Sequence, residues 1–197
     1  MVFLNPVVLA MYDRAPLIDA LAAIGFTSVE CAEDPVKAVL HEYDALLSKG
    51  IRCLDMRCPM AVEAAAAFSH PYASVPIEPV LIHCARDVAK QYGDKGLPLF
   101  ITTPCGALAD LGNALFLPNT SFLTWKAFVG RFAPALPPKK KLSKSPVPPG
   151  FFHSLSRRVR SLSSRKEIED FFARPQEPFE LIEMLYCPGG CHHGDGV

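Results

Sequence analysis

The sequence predicts an α/β protein built as two small lobes. Three observations lead there: apolar runs alternate with amphipathic stretches that stop at glycine, two such runs lead into turns where cysteine adjoins proline, and a proline-rich basic break sets off the C-terminal part. With 197 residues, 50% of them hydrophobic, the chain can bury one sizeable core or two small ones and is too apolar to be disordered.

Met1 to Tyr12 is apolar but has no basic n-region and no small-residue cleavage pattern, so it is expected to be a buried strand around Val7 to Met11 rather than a signal peptide. Pro16 to Ile24 reads as a helix that stops at Gly25. Asp34 and Pro35 supply the cap and first turn of a second helix, Val36 to Ser48, closed by Gly50. Ile51 to Asp55 looks like a strand with Cys58-Pro59 at its C-terminal mouth, and alanine-rich Met60 to Phe68 continues as a helix. Pro79 opens another helix through Gln91, and Leu97 to Thr102 is an apolar run leading into Pro104-Cys105. Ligands gather at such strand C-termini because the helices diverge there. Ser121 to Phe132 is expected to be one helix with Trp125 on its buried side.

Ala133 to Gly150 contains six prolines and four lysines, the composition of an extended connector. Beyond it come a charged helix, Ser164 to Phe172, a strand-like segment, Phe179 to Tyr186, and a glycine-rich turn with Cys187, Cys191, His192 and His193. The expected organisation is a first lobe over residues 1–133 carrying Cys58 and Cys105, a connector over 134–150, and a reduced second lobe over 151–197.

The formal net charge is zero, yet Arg131 to Lys166 holds ten Lys or Arg and no Asp or Glu, which leaves the rest of the chain acidic by ten charges. Apart from Phe151 and Phe152 this stretch lacks interleaved aromatics, so a solvated connector, or a dock for an acidic partner, is expected before a nucleic-acid site. No window approaches the roughly 18 apolar residues of a membrane span. Without an export signal the protein is expected in the cytoplasm.

Seven cysteines in a reducing compartment point to metal or redox chemistry rather than a disulfide framework. Cys58, Cys105 and the Cys187/Cys191 pair lie at proline or glycine turns, where thiolates can converge and backbone amides can bond inorganic sulfides. The Gly189-Gly190 pair would let the backbone approach a cluster closely. Zinc is the rival, since Cys53 with Cys58, and Cys187 with Cys191, have spacings close to knuckles. Cys31, Cys53 and Cys84 read as core residues, and His192 and His193, next to the last ligand, as solvent-facing or as groups that support the ligands from behind. Beside a cluster, Arg57 is expected to balance its negative charge and raise its potential.

The run Glu183-Met184-Leu185-Tyr186-Cys187-Pro188-Gly189-Gly190-Cys191, followed by Gly194 and Gly196, resembles the third signature of the iron-only hydrogenase large subunit, E-x-M-x-C-x-x-G-C-x-x-G-G-G. Thr103-Pro104-Cys105 through Leu111 resembles the second, M-P-C-x-x-K-x-x-E, and Asp55 through Pro59 the first, T-S-C-C-P. Glu78-Pro79 and Leu17 to Phe26 resemble two further helix starts of that family, in the same order along the chain. The resemblance implies mostly parallel sheets flanked by helices, and a 4Fe-4S cubane held between the lobes by Cys58, Cys105, Cys187 and Cys191. It also implies that Cys191 is the residue that bridges to a diiron unit in the family. Departures implicate the diiron unit itself: Arg57 stands at the proton-relay cysteine, Leu108 at the lysine and Leu111 at the glutamate. Thr103 and Leu185 stand at methionines, and Asp195 at a glycine. The expected function is electron transfer or redox or hydrogen sensing, with a redox partner such as a ferredoxin or a signalling protein. The alternatives are a minimal hydrogenase that recruits a diiron unit and a zinc-stabilised interaction module.

Overall fold

The computed structural model describes residues 1–174 and 179–197. They form two parallel sheets flanked by helices. The first sheet has β2 (Ser28–Val29), β1 (Val2–Phe3), β4 (Leu99–Thr103) and β5 (Thr120–Thr124) in that spatial order; the second has β3 (Cys53–Leu54), β7 (Leu181–Leu185) and β6 (Val159–Ser163). Every adjacent pair is parallel. The helices are α1 (Pro6–Met11), α2 (Arg14–Ala22), α3 (Pro35–Ser48), α4 (Pro59–Ala66), α5 (Val80–Tyr92), α6 (Gly106–Asn113), α7 (Trp125–Phe132) and α8 (Arg165–Phe172). Among the described residues no helix is long and apolar enough to cross a membrane.

The apolar run at Val7 to Met11 is helix, not strand. Asn5 caps it, its Oδ1 accepting from the amides of Val7 at 3.0 Å and Val8 at 3.2 Å, and Pro6 occupies the first turn. The strand lies just before, at Val2–Phe3. A short apolar run has no decisive period, so the Asn-Pro signal wins. The helix expected over Ser121 to Phe132 divides: Thr120–Thr124 is strand β5, and Thr124 turns the chain into α7 by accepting from the Ala127 amide at 3.1 Å. Two further elements, α6 and β6, complete the sheets and their cover.

The lobes do not follow chain order. β3 comes from the stretch expected to form the first lobe, yet it pairs with β7, Cys53 opposite Leu181 and Leu54 opposite Ile182. Leu54, Ala61 and Tyr72 then share one core with Leu162, Ile168, Phe172 and Met184. Cys58 therefore belongs to the second lobe, and the boundary at residue 133 is corrected. A sheet of β6 and β7 alone is too small to stand by itself, and β3 makes it three-stranded. Part of the expected 151–197 lobe, residues 175–178, lies outside the described residues.

The connector is irregular, as expected, but docked. Leu136, Leu142 and Val147 pack on the first-lobe core around Trp125 and Phe128, and the Lys140 amide bonds the Met11 carbonyl at 2.7 Å.

At the outer edge of the first sheet, Asn113 stands in for a missing strand. Its side-chain amide donates to the Phe122 carbonyl at 2.9 Å and its oxygen accepts from the Phe122 amide at 2.8 Å. The neighbouring Gly112 is required for that approach, because a Cβ there would stand 2.2 Å from the buried Phe122 ring. Gly112→Ala should therefore destabilise the fold by about 1–3 kcal/mol through overpacking, despite alanine's better helix propensity. A urea midpoint equal to the parent's would contradict that packing.

Candidate metal centre

Cys58, Cys105, Cys187 and Cys191 line one cavity of about 530 Å³. Three of them follow the C-terminal ends of parallel strands: Cys58 after β3, Cys105 after β4 and Cys187 after β7. Both sheets thus aim their C-terminal edges at the same space, where open α/β sheets place ligands. Cys58 and Cys105 are also the capping residues of α4 and α6, whose first-turn amides favour negative charge.

The last residues carry Cys187 and Cys191 across to the first lobe. Gly196 donates to the Pro104 carbonyl at 3.0 Å and accepts from the Lys126 amide at 2.9 Å, while Asp195 Oδ1 accepts from Gly106 at 3.1 Å. This contact explains the glycines: a Cβ on Gly194 would lie 2.2 Å from the Pro104 carbonyl oxygen, and one on Gly190 would lie 2.3 Å from that of Val147. Gly190 also has φ +119°. The amides of Gly189 and Gly190 are used within the protein. Gly189 donates to Ser163 Oγ at 2.8 Å and Gly190 to the Cys187 carbonyl at 3.1 Å, because the turn closes on itself and on β6.

The four thiols oppose one another's ionisation. Burial pushes Cys191 up to about 12, with Cys58, Cys105 and Cys187 adding and Arg57 opposing. Burial pushes Cys105 up to about 11, opposed by the Leu108 amide and reinforced by Cys58, Asp195 and Cys187. Cys187 is raised by burial, then by Cys58 and Asp195. Burial raises Cys58 as well, while the amides of Tyr186, Ala61 and Met60 favour its thiolate. Four thiolates could share such a cavity only if cations neutralised them, a charge that a bound metal would supply. The donor set, cavity and helix ends therefore fit a thiolate-ligated cluster.

Arg57 is held differently from expectation. Its Nε and Nη2 reach Asp55 Oδ1 and Oδ2 at 2.9 and 2.7 Å, and Nη2 also reaches Glu183 Oε1 at 3.0 Å. Its guanidinium lies 3.8 Å from the centre of the Phe151 ring. Burial works against the Arg57 charge, but Asp55 and Glu183 outweigh it and hold its pKa above the ordinary value. The charge of Arg57 is matched by these two carboxylates, while it still favours the Cys191 thiolate. Glu183 in turn accepts from the Gly150 and Phe151 amides, each at 2.8 Å, and so anchors the connector's end to β7.

Other expected residues divide. Leu108 lines the cavity, whereas Leu111 is exposed. Cys53 is core, packed with Tyr43 and Phe152, while Cys58 packs in a different cluster, so the two do not form a knuckle. Among the described residues no group of three or more His, Cys, Asp or Glu that could hold a metal ion is found, the four cysteines of the cavity included. Cys84, expected as plain core, packs with the core beside Cys31 but also borders the cavity. His193 is exposed at the cavity, and His192 carries a buried Nδ1 without a partner. Asp195 was not singled out as a site residue, although its position among the signature glycines marks it. No known protein family, curated protein or solved structure matches this chain.

Two expectations follow. Between the ordinary thiol value of 9.0 and the raised values of about 11 for Cys105 and 12 for Cys191, the metal-free folded chain holds protons that the unfolded chain has lost. Stability should therefore be intact below pH 9 and fall as pH rises through that window, and Cys105→Ser or Cys191→Ser should flatten the fall in urea titrations. Arg57→Ala should cost about 3–5 kcal/mol, since it strands two buried carboxylates. Arg57→Lys should recover only part of that loss, because an ammonium cannot reproduce the fork.

Proposed function

We propose that this chain binds one 4Fe-4S cubane through Cys58, Cys105, Cys187 and Cys191 and acts in electron transfer or redox sensing. The observation that carries the reading is that four cysteines, drawn from both lobes, line one cavity at the C-terminal ends of the strands. The collinear motifs that resemble iron-only hydrogenases support the same four residues. A bound cubane supplies one-electron chemistry. The protein's share is to hold four thiolates, direct the N-termini of α4 and α6 toward two of them, and cover the site with Pro146 to Phe151.

Hydrogen turnover with an added diiron unit is the second reading, favoured by a cavity whose lining reaches beyond the four cysteines to Phe3, Leu81 and Cys84. The walls there offer little to it. Leu108 and Leu185 donate no hydrogen bonds, and Arg57 stays protonated and is committed to Asp55 and Glu183. We therefore favour a carrier or sensor.

Anaerobic reconstitution should give a brown protein with about four irons per chain and a reduced-cubane electron paramagnetic resonance signal. Cys58→Ser, Cys105→Ser and Cys187→Ser should each lose or weaken the cluster, and Cys31→Ser should keep it. Stoichiometric zinc in a colourless protein would refute the cubane. Hydrogen evolution above a Cys191→Ser control, with infrared bands of carbonyl and cyanide ligands, would favour the second reading.

A further inference from the structure

The cubane reading leaves the surface above the site without a role. Cys187 is the least enclosed of the four cysteines, and Pro188 and Gly189 after it are exposed. Of the approaches to the four thiols, the most exposed is therefore at the Cys187–Gly189 turn. Connector residues pack directly behind it: a Cβ on Gly190 would meet Val147 O at 2.3 Å and Ser145 Cβ at 2.6 Å. Just upstream of Ser145 stand Lys139, Lys140, Lys141 and Lys144, all exposed.

The balance of charge around the turn is uneven. Lys140 pairs with Asp13 at 2.5 Å, but among the described residues Lys139, Lys141 and Lys144 have no ion-pair partner. Lys126 donates to the backbone carbonyl of Asp195 at 2.8 Å, which uses its hydrogen bond without cancelling its charge. On the β6 side, Arg165 and Lys166 are balanced by Glu169 and Asp170 within α8. The acidic group nearest the turn is Asp195, bonded to Gly106. The connector side is thus positive in a chain whose residues outside Arg131 to Lys166 are acidic by ten charges.

Resting on the cubane reading, we propose that Lys126, Lys139, Lys141 and Lys144 form a docking surface for a small acidic electron-transfer protein. Its electron crosses at the Cys187–Gly189 turn. One electron passes from the reduced carrier to the oxidised cubane, or back, and no bond forms or breaks. Opposite charge at the contact steers the encounter, and salt screens it. A single-stranded nucleic acid fits this surface less well, because such binding uses aromatic platforms. The connector's aromatics are occupied: Phe152 is fully buried, and both Phe151 and Phe152 lie over Arg57.

The test uses the reconstituted full chain, after iron and sulfide analysis, with a plant-type 2Fe-2S ferredoxin as the acidic probe. Stopped-flow reduction of the cluster should slow about tenfold or more from low to high ionic strength. At low salt the Lys139→Glu, Lys141→Glu, Lys144→Glu triple variant should be slower by a similar factor. Dithionite reduction and the resonance signal should be equal in both proteins, and oxidation by cationic cytochrome c should be faster in the variant. A preparation without iron overturns the cubane reading and electron entry with it. A four-iron preparation whose ferredoxin rate ignores salt and the three lysines overturns the docking surface alone. So does salt-sensitive binding to random duplex DNA, lost in the variant, if ferredoxin shows none.

Discussion

A single guanidinium held between two buried carboxylates is the point from which the second lobe and half of the site are positioned. Arg57 follows β3, Glu183 lies within β7, and Ser161 of β6 donates to Glu183, so one network spans all three strands of the sheet. Through the Gly150 and Phe151 amides it also fixes where the connector rejoins the lobe. Cys58 is the residue after Arg57, and Cys187 leaves the same strand as Glu183. Both thiols are therefore located by a buried ion-pair network whose members cannot move independently without exposing a charge to a low dielectric.

That network also sets the local balance of charge. With its cation spent on Asp55 and Glu183, and with Asp195 beside Cys105 and Cys187, the environment is less positive than an arginine next to a cluster suggests. Burial and mutual repulsion keep the thiols protonated in the metal-free chain. Any metal that entered would have to displace those protons, because proton release and metal entry are coupled. Ligand amides at the starts of α4 and α6 moderate the repulsion at Cys58 and Cys105 but not at Cys191, where burial is deepest.

The two lobes meet through the tail as much as through their sheets. Gly194 and Gly196 lie against Pro104 so closely that side chains would not fit, and this contact holds Cys191 opposite Cys105. The connector closes the remaining side, with the Cys191 amide 3.4 Å from the Val147 carbonyl. Cavity, tail and connector are thus parts of one junction, and the thiols lie where three separate stretches of chain converge.

The sequence alone determined the α/β class, the helices begun by Asp34-Pro35 and Pro79, and the four cysteines at turns. Each of those signals is local: a cap, a glycine stop, a thiol beside proline. It did not separate strand from helix at Val7 to Met11 or at Ser121 to Leu123, where short apolar runs fit either period. Local caps settle those, Asn5 and Thr124, and the tertiary structure adds the bond from the Asn5 side chain to Thr102. It also decided which lobe owns Cys58, because strand pairing between residues far apart in the chain leaves no local trace, and β3 is only Cys53–Leu54. The partners of Arg57 were hidden for the same reason: its charge is legible in the sequence, but what neutralises it depends on Glu183, 126 residues away, being folded against it.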